Sequence, residues 1–162
     1  MILKLLFLSF TLLAIWNSPS ASAFTAYQNT PPPVSKSIVL SPSALNTTIS
    51  NTTFTGKVYQ NPIQSVEHAS SAFVTFTPSS RTYWHTHEEG QLLHVTAGHG
   101  WIADLGGVPR RLEAGDVIWA PPGTTHWHGA DEGSLLTHLA VGLGETRWAR
   151  EVSLEEYREG RE

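Results

Sequence analysis

The chain from Ser65 onward is divided into short apolar runs, each ended by glycine or proline. The runs occupy residues 72–77, 91–96, 101–105, 111–113, 117–120, 125–129 and 135–141. Runs of this size and spacing predict an all-β fold, an antiparallel sandwich or barrel. We expect turns between them, including one at Gly98-His99-Gly100. Residues 147–161 instead predict a short C-terminal helix.

Length and composition exclude several classes of protein. With 162 residues the chain has room for one modest domain, and without cysteine it has no disulfide or thiolate-metal framework. The formal net charge of -4 supplies no basic field for a phosphate backbone, so we expect no nucleic acid partner.

The N-terminal third indicates secretion. One lysine precedes an apolar run from residue 5 to 16, and small residues at 21 and 23 favour cleavage before Phe24. The run is too short to cross a bilayer, so we expect a signal peptide and no membrane anchor. We therefore divide the chain into a signal peptide (1–23), an extended Ser/Thr/Pro/Asn-rich arm or linker (24–55), the β domain (56–145) and a C-terminal helix or tail (146–162). Asn46 and Asn51 head N-glycosylation sequons, which predicts a glycoprotein.

Histidine is concentrated in the β domain, where seven of the eight fall between residues 85 and 138. His85 and His87 are two apart, so on a strand both leave the same face, as two metal ligands would. Gln91 follows a turn and could reach the same point, and His126 could supply a fourth donor from another strand. An isolated His-x-His is more often a packed or exposed pair than a metal site, so the flanking pattern decides.

The flanking pattern resembles the two motifs of the cupin superfamily. The first is His85-Thr86-His87, three residues, Gln91, six residues and Gly98; the second is Gly115, five residues, Pro121-Pro122-Gly123, two residues and His126. This resemblance implies a double-stranded β-helix, the cupin jelly-roll barrel, carrying one divalent metal ion. Many cupins have glutamate where this chain has Gln91. A neutral amide leaves the ion uncompensated and therefore more Lewis-acidic.

The sequence from Trp84-His85-Thr86-His87 through His126-Trp127-His128-Gly129 to Thr137-His138-Leu139-Ala140 resembles the small single-domain cupins that include manganese-dependent hydroxynitrile lyases. The resemblance implies that His85, His87, Gln91 and His126 bind the metal, that His138 is the catalytic base and that Thr82 hydrogen-bonds the substrate oxygen. Manganese is the first expectation; iron, zinc, nickel and cobalt are alternatives, because nitrogen and amide oxygen ligands serve all of them.

Alternation along the strands also predicts a substrate pocket. We assign to its wall the residues Ala72, Val74, His128 and Gly142. From periodicity alone, His138 is more often a core histidine on an apolar face, and only the resemblance favours catalysis.

The favoured function is a secreted lyase acting on a small carbonyl or hydroxy compound. Alternatives are a metal-dependent cupin dioxygenase, decarboxylase or isomerase/cyclase, and a non-enzymatic germin-like or storage-type cupin, because fold does not fix reaction. The expected partner is a small-molecule substrate, and analogy with other cupins adds a homodimer.

Overall fold

The computed structural model describes residues 46–50 and 52–159. The predicted signal peptide, most of the predicted arm and the sequon asparagine Asn51 lie outside these residues and stay predictions. Asn46 is described and exposed to solvent.

Twelve strands and one short helix follow one another along the described residues. The strands are β1 (Thr48–Ser50), β2 (Phe54–Thr55), β3 (Val58–Val66), β4 (Ala69–Phe76), β5 (Arg81–Thr82), β6 (His85–His87), β7 (Gly90–Asp104), β8 (Arg110–Glu113), β9 (Val117–Ala120), β10 (His126–Ala130), β11 (Leu136–Leu143) and β12 (Thr146–Trp148). The helix, α1, is Leu154–Arg158. Among the described residues, none forms a helix with the length and apolar character needed to span a bilayer.

The strands form two antiparallel sheets that face each other as a nearly closed barrel. The first sheet has the order β1-β3-β4-β11-β7-β9, and the second joins β2, β5, β10, β7 and β8, with β6 paired to β10 and β12 paired to β6. The predicted all-β class and jelly-roll barrel are confirmed. Strands β1 and β2 belong to these sheets, so the end of the predicted arm, 24–55, forms part of the barrel.

Strand β7 belongs to both sheets and corrects the predicted turn at 98–100. It pairs with β11 through Gly98 and with β10 from Gly100 onward, so the chain crosses between sheets without reversing. Gly98 has a φ of +72°, and a Cβ there would lie 1.9 Å from the carbonyl oxygen of Leu135. Only glycine allows this approach.

Alternation along the strands builds the core. Inward side chains from both sheets pack together, namely Phe54, Val58, Val74, Phe76, Leu93, Val95, Ile102, Leu112, Ala130 and Leu136. Burying one large aliphatic or aromatic side chain of this kind stabilises a fold by about 1.5–3 kcal/mol.

The C-terminal segment is mostly not helical, which corrects the prediction for 147–161. Residues Thr146–Trp148 form β12 against β6, and the helix is only five residues long. Ser153 and Glu156 form a capping box that starts it. Tyr157 then donates a hydrogen bond of 2.7 Å to the carbonyl of Ala130 and packs on Trp127 in a second buried cluster, separate from the core.

Candidate metal centre

Strand β6 carries His85 and His87 into the barrel. Both side chains are buried, with Thr86 between them half-buried, and their ring centroids are 5.2 Å apart. The prediction that the two histidines share an inward face is confirmed. Glu88 and Glu89 follow on the surface, where they are exposed.

Strand β10 brings His126 beside them. His126 is directly opposite His85 in the antiparallel ladder, and the two ring centroids are 4.4 Å apart. Gln91 lies on a third strand, β7, and its side chain reaches the same point. In the described sheets β7 pairs with β10 but not with β6. Oε1 of Gln91 lies 2.9 Å from Nε2 of His126. The structure thus brings together all four predicted ligands.

The ring nitrogens that face away from this point are tied to acceptors. Nδ1 of His85 donates to the carbonyl of Tyr83 at 2.9 Å, and Nδ1 of His126 donates to that of Thr124 at 3.0 Å. A neutral imidazole that donates through Nδ1 has a lone pair at Nε2. Both rings therefore direct a lone pair toward the cluster, as metal-ligating histidines do.

The contact between His126 and Gln91 fits a cation. With Nδ1 donating, Nε2 of His126 is an acceptor, and the amide oxygen that faces it is also an acceptor. A divalent ion bound between them would satisfy both groups. Nε2 of His87 is also buried and has no hydrogen-bond partner among the described residues. The donor set therefore fits a metal ion that binds nitrogen and amide oxygen.

His128, predicted as a pocket residue, places a ring nitrogen closer to those of His85 and His126 than His87 does. Nitrogens of His85, His126 and His128 lie within 4.8 Å of one another. The centroid of the His128 ring is 5.3 Å from that of His85, against 5.2 Å for His87. Geometry alone thus leaves two candidates for the third nitrogen ligand.

Burial keeps all these imidazoles neutral. It lowers the pKa of His85 and His128 well below the usual value, and that of His126 as well. It also lowers the pKa of His87 to about 4. Neutral imidazole is the form that binds metals, so burial prepares the cluster as a ligand set at neutral pH.

His138 lies on β11, fully buried, and contacts His128. Nε2 of His138 is 3.1 Å from Nδ1 of His128, and Phe76 packs against both rings at centroid distances of 5.5 and 5.6 Å. Burial lowers the pKa of His138 to about 4. Thr82 is close by, since its Oγ1 accepts the backbone N–H of His128 at 3.1 Å.

A cavity of about 420 Å³ lies in front of the cluster. The predicted pocket residues all line it, namely Ala72, Val74, His128 and Gly142, together with Thr82 and His138. Every residue that lines it is uncharged apart from titratable histidine. Gly142 leaves space for His87, because a Cβ there would lie 3.0 Å from the imidazole ring.

Comparison with known proteins places this barrel and its histidines in a family. The Cupin domain family matches residues 72–141, which include every predicted metal ligand and His138. The chain is 44% identical over 112 residues to the (R)-mandelonitrile lyase of Granulicella tundricola, a match that covers 65% of this chain and 86% of that protein. The chain belongs to the cupin superfamily.

Solved cupin structures support the same assignment. A cupin-like protein from Thermotoga maritima is 36% identical and superposes with a TM-score of 0.66 over 68% of this chain and 90% of its own length. The polyketide cyclase RemF from Streptomyces resistomycificus has a TM-score of 0.62 at 16% identity, covering 75% of this chain and 91% of its own. At that identity the likeness shows only the shared fold.

Sequence reasoning missed two residues of this cupin site, both on β12. Thr146 lies 3.0 Å from Nδ1 of His87, and Trp148 packs on His85 with ring centroids 4.7 Å apart. Both line the cavity. They follow the matched cupin segment and fall where we predicted a helix. The alternation Thr-Arg-Trp after Gly144-Glu145 is the strand signal that could have located them.

Proposed function

We propose that this cupin is a secreted, metal-dependent lyase that cleaves a small hydroxynitrile. One divalent ion, manganese first, would be held by His85, His87, Gln91 and His126. The observation that carries the proposal is the inward set of neutral donors at the base of a cavity, in which the Nε2 of His126 and the Oε1 of Gln91 face each other 2.9 Å apart.

The proposed substrate is neutral and has an apolar substituent. A cavity without lysine, arginine or carboxylate offers no ion pair to a charged substrate, whereas Ala72, Val74 and Ala140 offer apolar surface. The 44% identity to an (R)-mandelonitrile lyase supports an aromatic hydroxynitrile as the first compound to test.

The chain's own residues would hold the substrate and move its proton. When bound, the metal would supply Lewis-acid stabilisation of the substrate oxygen. Because Oγ1 of Thr82 accepts the His128 N–H, its own hydroxyl proton stays free to donate to that oxygen. His138, neutral at neutral pH, takes the hydroxyl proton as the C–C bond to the nitrile breaks and a carbonyl forms. The proton then passes to the departing cyanide.

We assign the third nitrogen ligand to His87 rather than His128. Both rings have an Nδ1 partner, Thr146 for His87 and the proposed base for His128, and among the described residues both have a buried Nε2 without a partner. The match of His87 to the His-x-His motif therefore decides the assignment. His128 would then support His138 at the pocket wall.

The test is cleavage of racemic mandelonitrile by the full chain after chelation and after reloading with Mn²⁺. We expect benzaldehyde release only from the reloaded protein. His138→Ala should keep its metal and lose activity, and His94→Ala, which removes an exposed histidine, should retain both. Activity in the metal-free protein would contradict the proposal.

The same assay without oxygen separates the lyase from an oxidative cupin. Lyase cleavage consumes no oxygen, so we expect equal rates in air and under nitrogen. Loss of turnover under nitrogen would favour the dioxygenase alternative.

Secretion is a separate part of the proposal. It predicts that protein recovered from the medium of an expressing eukaryotic culture begins at Phe24. An intact Met1 in the mature protein would contradict it.

A further inference from the structure

The segment β12, Thr146–Trp148, is paired with the histidine strand β6. Thr146 lies opposite His87 and Trp148 lies opposite His85, while Arg147 between them points outward and bonds Glu145. Residues of β12 therefore contact both histidines of the His-x-His pair from the edge of β6 opposite to β10.

His87 differs from the other two proposed nitrogen ligands in what holds its Nδ1. The partners of His85 and His126 are main-chain carbonyls, which can only accept and therefore fix the ring tautomer. The partner of His87 is the Thr146 hydroxyl, 3.0 Å away, which can accept or donate. Only if the Thr146 hydroxyl accepts a hydrogen bond from Nδ1–H does Nε2 of His87 keep its lone pair.

Besides Thr146, the His87 ring contacts the rings of His85 and His126, at centroid distances of 5.2 and 6.0 Å, but it makes no other hydrogen bond among the described residues. On one side it faces Gly142, which has no side chain to hold it, and its Nε2 has no partner among the residues described. The ring is nevertheless buried, so loss of the Thr146 hydroxyl would leave a second buried nitrogen unsatisfied.

We propose that Thr146 is a positioning residue for the metal centre. Its hydroxyl accepts the Nδ1–H of His87 and so directs the Nε2 lone pair of that ring toward the ion. The inference rests on the proposed function in one respect, that His87 is a metal ligand. Removal of a partner that orients a ligating histidine typically weakens metal binding by about 10–100-fold.

The experiment measures Mn²⁺ affinity of the chelator-treated full chain by calorimetric titration, with no substrate present. We compare Thr146→Val, which keeps the shape and removes the hydroxyl, with Thr146→Ser, which restores it. Thr75→Val is the matched control, because Thr75 also makes a 3.0 Å hydroxyl hydrogen bond, to Thr137, but does not line the cavity. Thr146→Ala repeats the deletion if valine disturbs the strand.

We expect Thr146→Val to bind Mn²⁺ about 10–100-fold more weakly than the wild type. Thr146→Ser and Thr75→Val should stay within about threefold, well below the loss typical of an orienting partner. Wild-type affinity in Thr146→Val would overturn the proposal. So would equal losses in Thr146→Val and Thr75→Val, since they would show only a general effect on the sheet.

The outcomes separate this inference from the proposed function. If Thr146→Val loses metal affinity but the wild type cleaves no hydroxynitrile, the positioning role stands and the reaction is wrong. If the wild type cleaves hydroxynitriles while His87→Ala and Thr146→Val bind Mn²⁺ normally, the reaction stands and the positioning role is overturned.

Discussion

The histidines of this cupin fall into two groups that differ in what holds them. His85 and His126 lie opposite each other in one ladder, and each donates Nδ1–H to a carbonyl two residues earlier in the chain. His87, His128 and His138 depend on side-chain partners, a threonine or each other. The barrel backbone therefore fixes two of these five histidines, and individual side chains, which substitution can change without altering the fold, fix the other three.

The largest expected effect comes from the group held by the backbone. His126→Ala removes a donor next to both His85 and Gln91, so we expect loss of Mn²⁺ binding beyond the ~100-fold typical of an orienting partner, and no measurable lyase turnover. Metal content by elemental analysis and calorimetric titration would check this.

The same titration on His87→Ala and His128→Ala identifies the third nitrogen ligand. We expect strong loss with His87→Ala and a small change with His128→Ala. The reverse result would move the ligand assignment to His85, His126 and His128.

Next is the base. His138→Ala should leave the metal content unchanged and lower kcat by about 10²–10⁴-fold, the usual contribution of a positioned proton acceptor. Steady-state kinetics of the Mn²⁺-loaded variant are the measurement. Unchanged kcat would return His138 to the role of a core histidine.

Acidification should affect the metal-free barrel through His87 and His138, which both belong to the group held by side-chain partners. The pKa values of His87 and His138 are lowered to about 4, so between about pH 4 and 6.5 the unfolded chain binds protons that the folded chain does not. Stability therefore falls as pH falls through this window, by about 2 kcal/mol for each of these histidines at about pH 5 relative to neutrality. Urea unfolding at the two pH values gives the difference, and equal free energies of unfolding would contradict it.

The smallest effect is expected from a change of charge at Gln91. Gln91→Glu adds a negative charge beside the ion and weakens polarisation of the substrate oxygen, so we expect a drop in kcat of about tenfold with metal retained. Equal or faster turnover in this variant would count against the Lewis-acid argument.

The sequence could predict the positions of those site residues that lie within a recognisable motif. His85 and His87 share a face because strand side chains alternate, and His126 follows a Pro-Pro-Gly turn that sets its place on the next strand. This local information predicted a sandwich or barrel, and the resemblance of the motifs to those of cupins added the jelly-roll topology and the four ligands.

Features that depend on distant contacts could not be predicted. Gly98 and Gly100 look like a turn in sequence, but they allow β7 to pass close to the carbonyls of Leu135 and Gly129 while it changes sheets. Thr146 and Trp148 lie among charged residues that suggest a surface helix. They form a strand because they pair with the edge of β6. Pairing partners are set by the tertiary fold, which a single sequence does not display.

Anomalous diffraction at the manganese edge, from crystals of the full chain grown with Mn²⁺, tests the central claim most directly. We predict one peak per chain, coordinated by Nε2 of His85, His87 and His126 and by Oε1 of Gln91, open toward the cavity on its remaining side. No peak at this cluster, or one that leaves Gln91 and His126 uncoordinated, would contradict the account.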